Sequence, residues 1–94
     1  MPRRARRTDD NQQDVIDALR KAGWHVHVTS HAGDGFVDAV AAKGGRVALI
    51  EIKDGRKPPS ARKLTEDEAK VHAAFAAKGV TVQVIESVED ACRL

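Results

Sequence analysis

The sequence predicts an α/β domain in the order helix, three strands, helix, strand and short helix, and three observations point to it. Apolar spacing changes from three-and-four to two after Gly23, then returns to a capped helical pattern after Lys63. The pair Gly44-Gly45 separates two strand-like runs in the way a tight hairpin turn does. A length of 94 residues suits one compact domain, which typically has roughly 50 to 200 residues, and excludes a two-domain enzyme.

Asp9 or Asp10 is placed to cap the first helix, which runs to about Lys21 with Val15, Ile16, Leu19 and Ala22 on one face. Gly23 stops it. Trp24, Val26 and Val28 alternate with His25, His27 and Thr29, the pattern of a half-buried strand, and Gly33-Asp34-Gly35 turns the chain. Phe36 to Ala42 and Arg46 to Lys53 read as the two arms of the central hairpin. Gly55, Pro58 and Pro59 make the segment from Asp54 to Lys63 a loop. Thr65 and Glu68 form a capping box at the start of a second helix that ends at Gly79, with Leu64 placed to staple onto Ala69. Val80, Val82 and Val84 alternate with Thr81 and Gln83 in a fourth strand, and Ser87 with Asp90 caps a short last helix.

Apolar residues make up 41% and charged residues 32%, a globular balance, and no apolar run nears the roughly 18 residues of a membrane span. Met1 to Arg7 is basic like a signal peptide, but Thr8 to Asp14 is polar, so secretion is not expected. Cys92 alone makes neither an internal disulfide nor a multi-thiolate site and suits a reducing compartment, with the cytoplasm as default. Aromatic residues number three, Trp24, Phe36 and Phe75, so the core is aliphatic and thin. Self-association would strengthen such a core.

Charge is segregated. Residues 1–7 carry net +4, residues 8–52 net −3, residues 53–63 net +4 and residues 64–94 net −3. The organisation expected is a basic tail over residues 1–8 and a single domain over residues 9–94. Two basic segments on a nearly neutral body suit a phosphate-binding protein, and the plain alternative is a tail and a solvated loop.

If Gly44-Gly45 is the turn, opposed residues have numbers summing to 89, and Asp38 faces Glu51 with β-carbons about 5 Å apart. Lys53 shares that face by the two-residue period of a strand. A solvated end with Lys53 neutralising one acid is the plain reading. Against it, Val47, Ala48, Leu49, Ile50 and Ile52 make this the most apolar strand, expected to be central and covered on both faces. Buried acids in contact are accounted for if both bind a hard divalent cation such as magnesium. Phosphodiester hydrolysis is the chemistry this permits, with Lys53 orienting water or offsetting developing charge. The cationic loop follows Lys53 directly, so Arg56, Lys57, Arg62 and Lys63 are expected to track a phosphate backbone.

An acid on one strand followed by Glu51-Ile52-Lys53 on the next, within this element order, resembles the PD-(D/E)XK nuclease superfamily. More narrowly, Gly35-Phe36-Val37-Asp38, the run Ile50 to Gly55, and Pro58-Pro59-Ser60 with Leu64-Thr65 resemble small phage-type members of its VRR-NUC branch, over roughly residues 9–92. The resemblance implies a restriction-endonuclease-like αβββαβ core, a mixed sheet flanked by helices with a short C-terminal helix. It implies Asp38, Glu51 and the backbone carbonyl of Ile52 as ligands for Mg2+ or Mn2+, and Lys53 as the catalytic lysine. It also implies a DNA endonuclease, selective for branched substrates such as Holliday junctions, working as a homodimer in the cytoplasm of a bacterial or phage-infected host cell. The chain departs from the branch at Val37, where a proline is expected, and at Glu68, where a glutamine is expected and which reads here as the cap. It has Gln12, Gln13 and Asp14 where relatives often place a glutamate on the first helix. That absent acid motivates the rival reading, a nuclease-like fold that binds nucleic acid or protein without cutting.

Other candidates are weaker. His25 and His27 share one strand face at a spacing that suits a metal, without an evident third ligand, and His31 and His72 have no partner in the sequence. Cys92 has no adjacent base to activate it, and no serine has a nucleophile-elbow context.

Overall fold

The computed structural model describes residues 9–94; the expected basic tail, residues 1–8, lies outside the described residues. The elements are α1 (Gln12–Lys21), β1 (His25–Val28), β2 (Ala39–Lys43), β3 (Arg46–Ile52), α2 (Glu66–Ala76), β4 (Gln83–Ile85) and α3 (Val88–Cys92), with a 3-10 turn at Pro59–Ala61. They form one mixed sheet in the order β1-β2-β3-β4. The first three strands are antiparallel and β4 is parallel to β3. A parallel neighbour requires a crossover, and the loop after β3 together with α2 provides it.

Register follows from the turn. Gly44 and Gly45 have φ of 58° and 83°, the left-handed values that a two-residue hairpin turn needs. The pairs run from Lys43↔Arg46 to Ala39↔Ile50, each summing to 89 as expected. The ladder stops there, so β2 starts three residues later than Phe36. Asp38 instead donates its N–H to the Ile50 carbonyl (2.9 Å), and its Oδ2 accepts the Ile52 N–H (2.8 Å). Residues before it belong to a tight turn in which Gly33, Asp34 and Gly35 all have positive φ. A β-carbon on Gly35 would lie 2.4 Å from the backbone of Asp67, so this turn packs directly on the first turn of α2.

Strand alternation then sorts β3. Ala48, Ile50 and Ile52 join Val15, Ile16 and Leu19 of α1, Val26, Ala39, Ala41, Ile85 and Ala91 in the core. Val47, Leu49 and Glu51 point to the opposite face. β3 is central, as expected, but it is covered on both faces only near its C-terminal end: Glu51 is 1% exposed and Val47 is 71% exposed.

Two local expectations are corrected. Asn11, not Asp9 or Asp10, occupies the cap position of α1, and its side chain makes no cap bond; its Nδ2 instead donates to the carbonyls of Lys53 (3.1 Å) and Glu86 (3.3 Å). In β4 the buried residue is Ile85, whereas Val84 is 43% exposed and Val80 lies before the strand. Pairing of Ile85 beside Ile52 places it on the core face, which overrides the valine alternation. The capping box of α2 and the Ser87 cap of α3 are present as expected.

Candidate active site

The C-terminal end of β3 brings Glu51 and Lys53 to the face away from α1, because they are two residues apart on an extended chain. Asp38 reaches the same place through its bond to the Ile52 N–H. The capping box fixes the start of α2 over this point: Thr65 Oγ1 accepts the Glu68 N–H (3.1 Å) and Glu68 Oε1 accepts the Thr65 N–H (2.9 Å). That same Oε1 accepts from Lys53 Nζ at 2.8 Å. One turn further on, His72 Nε2 lies 3.1 Å from Glu51 Oε1. Asp9, Asp38, Glu51, Ile52, Lys53, Lys57, Lys63 and Glu68 line a cavity of about 360 Å³, with Ala61 and Thr65 completing its wall.

Its electrostatics follow from crowding. Burial first, then hydrogen bonding and charge from Asp38, and then the charge of Glu68 push the Glu51 carboxyl up to about 9. Burial also acts on Glu68 and would raise it, but the bonds from Lys53 and the Thr65 N–H outweigh that and hold it below its ordinary value. Burial alone would lower the Lys53 pKa, but the Glu68 bond and the charges of Glu68, Glu51 and Asp9 raise it, so the amine stays protonated. Burial lowers His72, which is therefore a neutral imidazole near pH 7.

The four loop cations divide. Lys57 and Lys63 line the cavity, Lys57 with Asp9 at 3.7 Å. Arg56 is bonded through Nε and a second nitrogen to Asp54 (3.0 and 2.9 Å), and Arg62 bonds the Lys57 carbonyl (2.8 Å) and lies 3.4 Å from Glu86. Arg62 thus braces the loop. The first-helix candidates do not reach the cavity: Gln12 bonds Ser30 and Gln13 bonds Asp17, and Asp14 lies outside the lining. Asp9, just before α1, does reach it, and its pKa is raised by burial first, with the charges of Lys53 and Lys57 opposing. Glu68 is more than the cap that the sequence suggested, since it also holds Lys53. His72, without a partner in the sequence, has one in Glu51.

Among the described residues no three His, Cys, Asp or Glu side chains converge closely enough to hold a metal by themselves. Two carboxylates and a backbone carbonyl fit a hard cation that keeps much of its water, as magnesium does. Two buried acids in contact also fit one, because a divalent charge offsets the burial, and after it the neighbouring acids, that raise the Glu51 pKa.

A family model described as "Restriction endonuclease", Mrr_cat, matches residues 8–93. The chain belongs to the Mrr_cat restriction endonuclease family. No curated protein matches the chain. A solved structure titled "VRR_NUC domain" is similar to it with a TM-score of 0.66 and 22% identity, over 88% of this chain and 87% of that one. At that identity the likeness shows the fold, a mixed four-stranded sheet with flanking helices. As an Mrr_cat domain the chain is a nuclease with DNA as its substrate class, and nucleases of the PD-(D/E)XK superfamily generally use divalent metals. No helix among its described residues is long and apolar enough to cross a membrane.

Proposed function

We propose that this Mrr_cat domain is a divalent-metal-dependent DNA endonuclease in which Asp38, Glu51 and the Ile52 carbonyl hold Mg2+ or Mn2+ and Lys53 is the catalytic lysine. The observation that carries it is the convergence of Asp38, a buried Glu51 and a protonated Lys53 in one cavity with Lys57 and Lys63 along its wall. A cation bound there would polarise a phosphoryl oxygen and ease deprotonation of water. Lys53, kept an ammonium by Glu68, offsets charge developing on the phosphoryl group and is in no state to take a proton. Lys57 and Lys63 neutralise the flanking phosphates. Arg56, whose side chain is 74% exposed even in its pair with Asp54, remains available to the backbone beyond the cavity. Arg62 contributes by holding the loop in shape.

Selectivity for branched DNA and a homodimeric state are part of this reading. The dimer is supported by the aliphatic core and by Val47, Val80 and Val84, each more than 40% exposed. A twofold pair of sites suits cutting two strands.

The test is cleavage of a labelled four-way junction and a matched linear duplex with Mg2+, with Mn2+ and with chelator. Metal-dependent cutting is expected, and Lys53→Ala should slow it at least about 10²-fold, the scale of removing one stabilising donor. Equal cutting by the variant refutes the role of Lys53. A shifted complex that is never cut in either metal favours the binding-module reading.

A further inference from the structure

The face that α2 turns to the sheet has an unusual composition. Its one buried residue is Glu68, and the residues at helical spacing from it, His72 and Phe75, continue the stripe. Phe75 meets Phe36 with ring centroids 6.4 Å apart, whereas the two polar members each bond a residue of the cavity, Glu68 to Lys53 and His72 to Glu51. We infer that His72 is a positioning residue that holds the Glu51 carboxylate in its metal-binding orientation.

The inference rests on the reading of Glu51 as a metal ligand and follows from which neighbours can donate to it. An ionised carboxylate only accepts hydrogen bonds. Asp38 and Glu68 are hydrogen-bonded to Glu51 while it carries its proton, but once it is ionised for a metal these neighbouring acids repel it. Lys53 directs its ammonium to Glu68 at 2.8 Å. With its proton on Nε2, the His72 ring is then the side-chain donor left for an ionised Glu51 Oε1, and its approach is fixed because the capping box anchors the helix one turn earlier. Outer partners of this kind orient metal ligands, and losing one typically costs about 10- to 100-fold in metal affinity.

The experiment is calorimetric titration of Mn2+ into the full chain and its variants without DNA, paired with single-turnover cleavage across Mn2+ concentrations. His72→Phe keeps the ring volume and loses the donor, with His72→Leu as substitute if that variant does not fold. His72→Gln keeps a donor near the position of Nε2. Loss of the donor should weaken Mn2+ binding about 10-fold or more and shift the Mn2+ dependence of cleavage to higher concentration, with His72→Gln recovering most of both. Wild-type Mn2+ affinity in the donor-less variant overturns the inference, as does a Gln variant no better than Phe. A purely structural role would lower the melting temperature alone. If wild-type binding of Mn2+ is absent or insensitive to Glu51→Gln, the metal-site reading itself has failed, which is distinguishable from failure of the role of His72 alone.

Discussion

The two faces of the sheet near the end of β3 are built from alternate residues of one strand, yet they behave as different environments. On one face Ile50 and Ile52 are at most 1% exposed and pack among the aliphatic residues of α1, β4 and α3. On the other, Glu51 is just as buried, but its neighbours are Asp38, Glu68, Lys53 and His72. Equal burial thus has opposite consequences: apolar area taken from water stabilises the fold, whereas a carboxylate taken from water among other acids costs stability that a partner must offset. The polar face is also where α2 supplies side chains in place of a hydrophobic stripe. Stability comes mainly from one face, and chemistry is concentrated on the other.

The comparison breaks most visibly on the dry face. Ile50→Ala should cost about 2 to 5 kcal/mol by chemical denaturation, because the cavity it leaves is lined by packed side chains that collapse only in part. Lys53→Ala, two layers of chemistry away, should cost less stability and most of the cleavage. A pH series sharpens the contrast. Glu51 has a model-compound pKa of 4.5 and is pushed up to about 9 in the fold, so between those values the folded state holds a proton that the unfolded chain gives up. Its contribution is fully present below about 4.5 and is lost as pH rises towards 9. The metal-free protein should therefore melt at lower temperature at pH 9 than at pH 6, Glu51→Gln should flatten that decline, and excess Mg2+ should raise the midpoint most at the alkaline end. The smallest effect belongs to the junction of the two environments. Thr65→Ala removes the hydroxyl half of the capping box and should cost about 1 kcal/mol, with a larger proportional loss of cleavage than of stability, because Glu68 and His72 both hang from that helix start.

Much of this site was legible in the sequence because it depends on local rules. Two glycines set a hairpin register, the register brought Asp38 towards Glu51, and a two-residue period brought Lys53 alongside. Asp9 and His72 were not legible as site residues. Asp9 lines the cavity from just before α1 and His72 touches Glu51 from α2, and no local pattern specifies how either segment sits relative to β3. β4 departs from the alternation of Val80, Val82 and Val84 for a related reason: Ile85 is apolar as well, and its parallel pairing beside Ile52 buries it while Val84 stays exposed. The loop cations were equally alike in sequence, yet Arg62 turned inward to Lys57 and Glu86 while Lys57 and Lys63 lined the cavity.

By itself the sequence determined the order of elements, the hairpin register, the capped start of α2 and the grouping of Asp38, Glu51 and Lys53, since turns, caps and strand periods act over a few residues. Only the tertiary structure decided which acid near α1 enters the cavity, which partner Glu51 keeps and which face of β4 is buried. Those outcomes depend on how separate elements dock, and docking is settled by the joint packing of the sheet with its helices, which no single segment encodes.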